Sequence, residues 1–436
     1  MKTLRIMSLV ALLITIGSCS KDGGSDIPKV KDPIKIESPS PVKSIEKVSL
    51  NSAQETYVRN GNSFAINTLK DIYETGKGSM VLSPLSLQYA LAMAAAGASG
   101  ETAEEIVSAL GCGDDIGELN GYCNLLLNQL PALDEKVTLK LTDAMIVNDV
   151  FTVSDYFRTT LEENYYAPVE YMDSSNPKKV VERINEWAYR STDGFIYPFL
   201  QEDDLSDFAA VILNALYFKA PWQGTEKHPM FKSNWILRST PFYTVGGKEI
   251  SVDYLVNNAH YRYGRMGDNS IVGIPYAGGK YAFYAVLPDD TDGIGNLLSD
   301  ITEEGLHEAI RTMTWSSIVR LRLPKFEIEN KYDNLVDILK RQGISRAFDG
   351  RAQFDKMFED NHSIIISNVI QKARIKITEW GTEAGAVSAV ELTDGSNNSD
   401  GEKEEIVNFY ADHPFAFFIE EMSSGVILFE GVYAGE

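Results

Sequence analysis

"EWGTEAGAVSAVELTDGSNNSDGEKEEI", from Glu379 to Ile406, is the stretch on which the reading of this chain turns. It bends at Gly381, runs on through small and apolar residues, then dissolves into polar, mostly acidic ones. A strand shows its side chains to alternate faces. From Thr382 one face carries Thr382, Ala384, Ala386, Ser388, Val390 and Leu392, and the other Glu383, Gly385, Val387, Ala389, Glu391 and Thr393. The first face is small or apolar throughout and the second holds both glutamates, the pattern of a strand with one buried side. Gly381 supplies a backbone joint. No proline between Lys325 and His413 would interrupt a hydrogen-bonded ladder. The stretch reads as a strand tied to a long acidic loop.

The rest of the chain offers that strand a large body. There are 436 residues, 44% of them hydrophobic, which is ample for a folded core. Length alone suggests two domains, because single cores usually stop growing at about 250–300 residues. A formal charge of -22 excludes nucleic acid as a partner.

At the N-terminus Lys2 and Arg5 precede an apolar run, Ile6 to Ile16, followed by Gly17, Ser18 and Cys19. The run is too short to span a bilayer and has the plan of a secretory signal. "IGSC" is similar to the bacterial lipobox, which implies that residues 1–18 are removed and that Cys19 is lipidated. Losing Lys2 and Arg5 takes the formal charge from -22 to -24. The implied destination is a lipid anchor on the bacterial outer membrane, with cell-surface display one of two possible faces. Residues 19–51 are rich in Lys, Asp, Ser, Gly and Pro and read as a flexible tether. Two cysteines remain, Cys112 and Cys123, which could pair; free thiols are the preferred reading.

The body opens with helices. "SFAINTLKDIY" places Phe64, Ile66, Leu69 and Ile72 near one face. "SPLSLQYALAMAAAGASGETAEEIVSALG" holds two helices, the second capped near Ser99 and stopped at Gly111. "VVERINEWAYRST" and "YDNLVDILKRQGI", the latter ending at Gly343, read as two more. Strand-like runs follow: "LKLTDAMIVN", "AAVILNALYFKA", "SIVGIPY", "YAFYAVLP", "SIVRLRLPKFEIE", "KARIKITEW", "FAFFIEE" and "GVILFEGVY". Helices first and strands later predict an α+β fold with large, mostly antiparallel sheets.

Catalytic constellations are missing. The sequence has no G-x-S-x-G, no phosphate-binding G-x-x-x-x-G-K-[ST] and no H-E-x-x-H. Its five histidines, at 228, 260, 307, 362 and 413, are scattered, and neither cysteine has the companions of a zinc site. "YAGGKY" follows a strand and reads as a hairpin turn. The chain is expected not to be an enzyme and to need neither cofactor nor metal. Polar residues instead interrupt apolar runs: Ser83, Pro84 and Ser86 at a helix start, where Ser83 can be an N-cap, and Asn214 inside "VILNALYF".

Taken in order, "SPLSLQYALAMAAAGASGETAEEI", "YRSTDGFI", "VILNALYFKAPW", "LPKFEIENKYDNLVDILKRQGISRAFD", "KITEWGTEAGAVSAV" and "YADHPFAFFIEEMSSGVILFEGVY" resemble the serpins over about Ser52 to Tyr433. The resemblance implies one domain, 52–436, with three β-sheets, eight or nine helices and an exposed reactive loop at about 381–408. It implies a monomer that inhibits serine or cysteine endopeptidases. The protease cleaves the loop, and the upstream half then inserts into the central sheet while the acyl-enzyme is carried away and distorted. Gly381, Thr382, Glu383, Ala384, Gly385 and Ala386 match the hinge. Ser83, Ser86, Asn214, Trp222, Gln371 and His413 match the residues around the sheet opening. Gln371 stands where the family often has histidine; glutamine can donate and accept but cannot titrate.

By the family's spacing from the hinge glycine, the reactive bond falls at Gly395-Ser396. The strand pattern points to the same few residues, since the next inward position after Leu392 is Asp394, costly to bury. Leu392-Thr393 is the alternative. Counting back from Pro414 gives Lys403-Glu404, which would bury Asp394, Asp400 and Glu402 and ranks last. A small or medium residue before the bond points to elastase-like, subtilisin-like or papain-like targets, and Lys403 to trypsin-like ones. The acidic segment is longer than the family's usual loop. Together with Gln371 and Trp380 it supports a second reading, a non-inhibitory binding protein on the same fold.

Overall fold

The computed structural model describes residues 34–37, 39, 44–113, 115–205, 208–225, 228–315, 317–360, 363–382 and 405–435. The expected signal 1–18, Cys19, Glu383, Ala384, Gly385, Ala386 and all three candidate reactive bonds lie outside them.

In chain order the helices are α1 (Ser52–Thr75), α2 (Pro84–Ala96), α3 (Gly100–Leu110), α4 (Ile116–Gln129), α5 (Asp155–Tyr165), α6 (Pro177–Ser191), α7 (Ile294–Asp300), α8 (Glu303–Thr312) and α9 (Val336–Arg341). The strands begin with β1 (Met80–Leu82), β2 (Thr138–Asn148), β3 (Val169–Met172), β4 (Ala210–Pro221), β5 (Leu237–Tyr243), β6 (Glu249–His260), β7 (Arg262–Met266) and β8 (Asn269–Pro275). They continue with β9 (Tyr281–Pro288), β10 (Ser317–Pro324), β11 (Phe326–Tyr332), β12 (Gln371–Thr378), β13 (Gly381–Thr382), β14 (Glu405–Tyr410), β15 (Phe415–Glu421) and β16 (Ile427–Tyr433).

These strands form three sheets: β11-β12-β13-β4-β2-β3, β1-β16-β15-β9-β8-β7 and β14-β10-β6-β5. Only the β2–β3 and β10–β14 pairs among the described strands are parallel. One continuous core runs from Ile34 to Ala434, so the two-domain expectation from length gives way to a single unit. The α+β class and the three sheets are as expected.

Local chemistry explains the element ends. Asn51 and Gln54 form a capping box at α1, which begins twelve residues before the apolar spacing starts at Phe64. Gly111 ends α3 in the left-handed region at φ 68°, as expected. α2 is apolar nearly all round and buried, which places it beneath β4 and β16 as a central helix. Two readings need correction. "SIVRLRLPKFEIE" is two strands in different sheets, broken at Lys325. α9 starts only at Val336, because Tyr332 pairs with Gln371 in β11 and the Asn334 side chain takes the Val336 N–H.

The expected loop at 381–408 is also shorter at both ends. Gly381–Thr382 is strand, and Glu405–Tyr410 pairs with β10 from Ser317 to Arg322.

The tether expected at 19–51 is docked over its described part. Ile34 is 1% exposed and Val48 5%. The Ile34 carbonyl accepts from Arg190 of α6 at 2.8 Å. Ile45 N–H donates to Ala132 O, Val48 N–H to Ser423 Oγ and Ser49 N–H to Gln129 Oε1, while Lys280 Nζ reaches Glu46 O. The polar composition hid five irregularly spaced apolar residues, Ile34, Ile36, Ile45, Val48 and Leu50, all packed on the core. Ile34→Asp would put an unpaired carboxylate in that seat. It should expose the backbone beside Ile34 to limited proteolysis and lower stability by about 2 kcal/mol, the burial value of one isoleucine. Unchanged protection from proteolysis would show that Ile34 does not anchor the segment.

Candidate functional site

The hinge is built where β12 turns back into β13. β13 pairs with β12 through Ile377↔Thr382 and Thr378↔Gly381, and with β4 through Gly381↔Pro221 and Thr382↔Ala220. Two residues therefore fill the space between β4 and β12. Beyond them, no ladder joins β4 to β12 among the described residues. With strands normally about 4.8 Å apart, β13 marks the mouth of a slot one strand wide.

Trp222 closes that mouth. Its N–H donates to Trp380 O at 3.1 Å and its Nε1 to Thr378 O at 2.8 Å. The indole stacks on Tyr276 with centroids 4.7 Å apart and planes at 5°. The Tyr276 hydroxyl is hydrogen-bonded to Thr382 Oγ1. Thr382 is fully buried, whereas Trp380 is exposed. Lys325 pairs with Glu379 at 2.7 Å, fixing the outer side of the turn. Gly381 has φ 147°, and a Cβ there would lie 2.2 Å from Ala220 O, so this path admits only glycine.

Deeper in the sheet the structure divides the remaining matched residues. On the β12 side, Gln371 Nε2 donates to Ser83 O and Ser83 Oγ to Leu428 O, each at 3.1 Å. Ser83 occupies the N-cap position of α2 with Pro84 at the first turn, but its side chain makes no cap bond. On the β4 side, Asn214 Nδ2 donates to Asp143 Oδ1 of β2 at 2.7 Å. Ser86 is fully buried, and its Oγ lacks a partner among the described residues.

Register lines these groups up. Tyr332 pairs with Gln371 across β11–β12, and Asn214 with Asp143 across β4–β2, so a polar row approaches the slot from both sides. Trp222 lies eight residues along from Asn214, about 26 Å at ~3.3 Å per residue.

His413 does not join this row. Its Nε2 meets Pro288 O at 2.8 Å and its Nδ1 meets Asp412 Oδ1 at 2.9 Å. It precedes β15, whereas Leu428 lies beside the far end of that strand, at Ile419 and Glu420. The HPF sequence places His413 at a junction of strands, and its neighbourhood is the end of β9.

Across the outer face, the segment after α6 is held to both halves of the sheet. Lys140 of β2 pairs with Asp193 at 2.6 Å. From β12, Arg374 reaches Phe195 O and Lys372 reaches Pro198 O, each at 3.0 Å.

Sequence reasoning missed Tyr276 and Asp143. In sequence Tyr276 ends the strand-like run "SIVGIPY" and starts the "YAGGKY" turn, which does form, with its N–H bonded to Tyr281 O and Gly278 and Gly279 at positive φ. Asp143 had a signal: an acid inside the apolar run "LTDAMIV". It is buried, and burial pushes its carboxyl up to about 8 against the opposing pull of the Asn214 amide.

Cys112 and Cys123 are free and buried. Desolvation pushes Cys112 up to about 12 and raises Cys123 well above the usual thiol range, which leaves both unreactive. Among the described residues, no group of three or more His, Cys, Asp or Glu could hold a metal ion.

A description of the family "Serpin (serine protease inhibitor)" matches residues 59–434. The chain belongs to the serpin family. Among serpins it is similar to Antichymotrypsin-2 of Bombyx mori, at 30% identity over 381 residues that cover 86% of this chain and 97% of that one. Of solved structures, it is similar to Serpin48 of the insect Tenebrio molitor, described as highly specific. There the TM-score is 0.75 and the identity 26%, covering 89% of this serpin and all of that chain. Human thyroxine-binding globulin, solved with its hormone, superposes with a TM-score of 0.76 at 25% identity, covering 87% and 98% of the two chains.

Proposed function

We propose that this serpin is an inhibitor of serine or cysteine endopeptidases that traps its target by inserting the cleaved loop as a strand between β4 and β12. The observation that carries the reading is the hinge: Gly381 and Thr382 are already laddered on both sides at the mouth of a strand-wide slot. In the inserted form, the same register would bring Ser388 level with Gln371 on one side and Asn214 on the other. The polar member of the small face would thus meet the polar row. The names of relatives such as Antichymotrypsin-2 agree with inhibition, and with a protein that is not an enzyme.

The export signal, lipid on Cys19 and outer-membrane placement are part of the same proposal and rest on "IGSC" and the flanking pattern, while the monomeric state rests on the resemblance to serpins. With Ile34 seated on the core, only about fourteen residues would separate Cys19 from the body, a reach of at most ~43 Å at ~3.1 Å per residue. Gly395-Ser396 is the proposed reactive bond, ahead of Leu392-Thr393.

Incubation with a panel of serine and cysteine proteases should give complexes that survive boiling in detergent. Cleavage without such complexes across a broad panel would sink the trapping claim. The exposed Trp380, the absence of a histidine at Gln371 and the likeness to thyroxine-binding globulin favour a binding protein as the second reading. Nicking the loop separates the two, since insertion should raise the melting temperature and a non-inserting protein should gain nothing.

A further inference from the structure

Asp143 is an acid in the middle of a buried strand, and the proposed insertion gives it no task. It lies directly across from Asn214, 1% exposed, and receives the Asn214 Nδ2–H at Oδ1. That bond leaves one acceptor on each residue. Asp143 Oδ2 and Asn214 Oδ1 are both buried with no partner among the described residues. Buried acceptors without donors are costly. Here two of them sit on residues already joined, so that one proton on Oδ2 would serve both. A carboxylic acid donates its O–H to the amide oxygen and accepts the amide N–H, closing a ring of two hydrogen bonds.

We propose that Asp143 is a neutral carboxylic acid in the folded sheet, that it positions Asn214 by donating from Oδ2 to Asn214 Oδ1, and that loss of this proton loosens β2 from β4.

The surroundings agree. The ionisable groups that sense Asp143 are Tyr89 of α2, Cys123 of α4 and Tyr165 of α5, each of which a carboxylate would oppose. Burial and the Asn214 hydrogen bond act on Asp143, and among the described residues no cation does. Its folded value, about 8, lies above the ordinary carboxylate value of about 3.9. The stabilisation is therefore complete below about pH 4 and is lost as pH rises through about 8. Within that window the balance between closed and water-opened pair shifts by up to about tenfold per pH unit. The consequence for loop insertion rests on the inhibitory reading; the proton itself does not.

The test compares the full mature protein with Asp143→Asn, whose amide can keep both bonds but cannot ionise. Hydrogen exchange of β2 and β4 amides, corrected for intrinsic rates, should show wild-type opening rising by up to about tenfold per unit from pH 6 to 8. The variant should stay flat. Infrared spectra of protein labelled with isotopic aspartate should show a protonated-carboxyl band at pH 6 that the variant lacks. Matching pH profiles overturn the assignment. So does wild-type protein with no protonated aspartate band at pH 6, a result that stands even if the variant fails to fold. Neither readout uses a protease, so a failed trapping experiment and a failed proton assignment are told apart.

Discussion

Thr382→Arg is expected to turn this serpin from a trap into a substrate. Thr382 is fully buried, flanked by Ala220 and Ile377, with its hydroxyl against Tyr276. Because β13 stands at the mouth of the slot, residue 382 must stay seated for anything downstream to follow. A guanidinium there would be desolvated beside an alanine, an isoleucine and a phenol. An unpaired buried charge costs several kcal/mol, and about 1.4 kcal/mol is a tenfold change. Insertion races against hydrolysis of the acyl bond, so a slower first step lets the protease escape. The protein consumed per protease trapped should rise by about tenfold or more, while the rate of cleavage at the reactive bond barely changes. Titration of residual protease activity, with gels that separate complex from cleaved product, measures both. Unchanged consumption would mean that the strand does not enter in the register seen at Thr382.

Most of the fold, and the turn at Gly381 and Thr382, were legible because their information is local. Period-two alternation, the Gly381 joint and the ordered serpin-like segments could all be read along one dimension. What escaped was set by pairing between distant segments. Asp143 acquires meaning only through Asn214, seventy-one residues away, and Tyr276 only through Thr382 and Trp222. β5, β6 and β7 carry exposed or half-buried residues on much of their length, so no clean alternation announced them. The seating of Ile34, Ile36, Ile45, Val48 and Leu50 was hidden by composition, because a handful of apolar residues among many polar ones gives no periodic signal. His413 was misplaced for a related reason: a motif identifies a strand, but the neighbours of its side chain depend on how the sheets stack.

Gly381→Ala tests the backbone path where Thr382→Arg tests the side-chain face. At φ 147° an L-residue is strained, and the added methyl would sit 2.2 Å from Ala220 O and 2.6 Å from Pro221 Cα, atoms of the neighbouring strand with no freedom to rotate away. Strain of this kind costs about 1–3 kcal/mol before the clash is counted. The cheaper outcome is for β13 to leave its place between β4 and β12. The Trp222 N–H would then lose Trp380 O, and Thr382 would leave Tyr276. Amide exchange at Trp222 and Thr382 should therefore rise by about tenfold or more while the β15–β16 core stays protected. Nicking the loop should not raise the melting temperature of this variant, unlike the rise expected for the parent, because a strand that cannot pass residue 381 cannot complete the ladder. The two variants separate entry from passage. If Thr382→Arg abolishes trapping and Gly381→Ala leaves both exchange and the thermal gain intact, the side-chain seat is on the route and the observed backbone path is not.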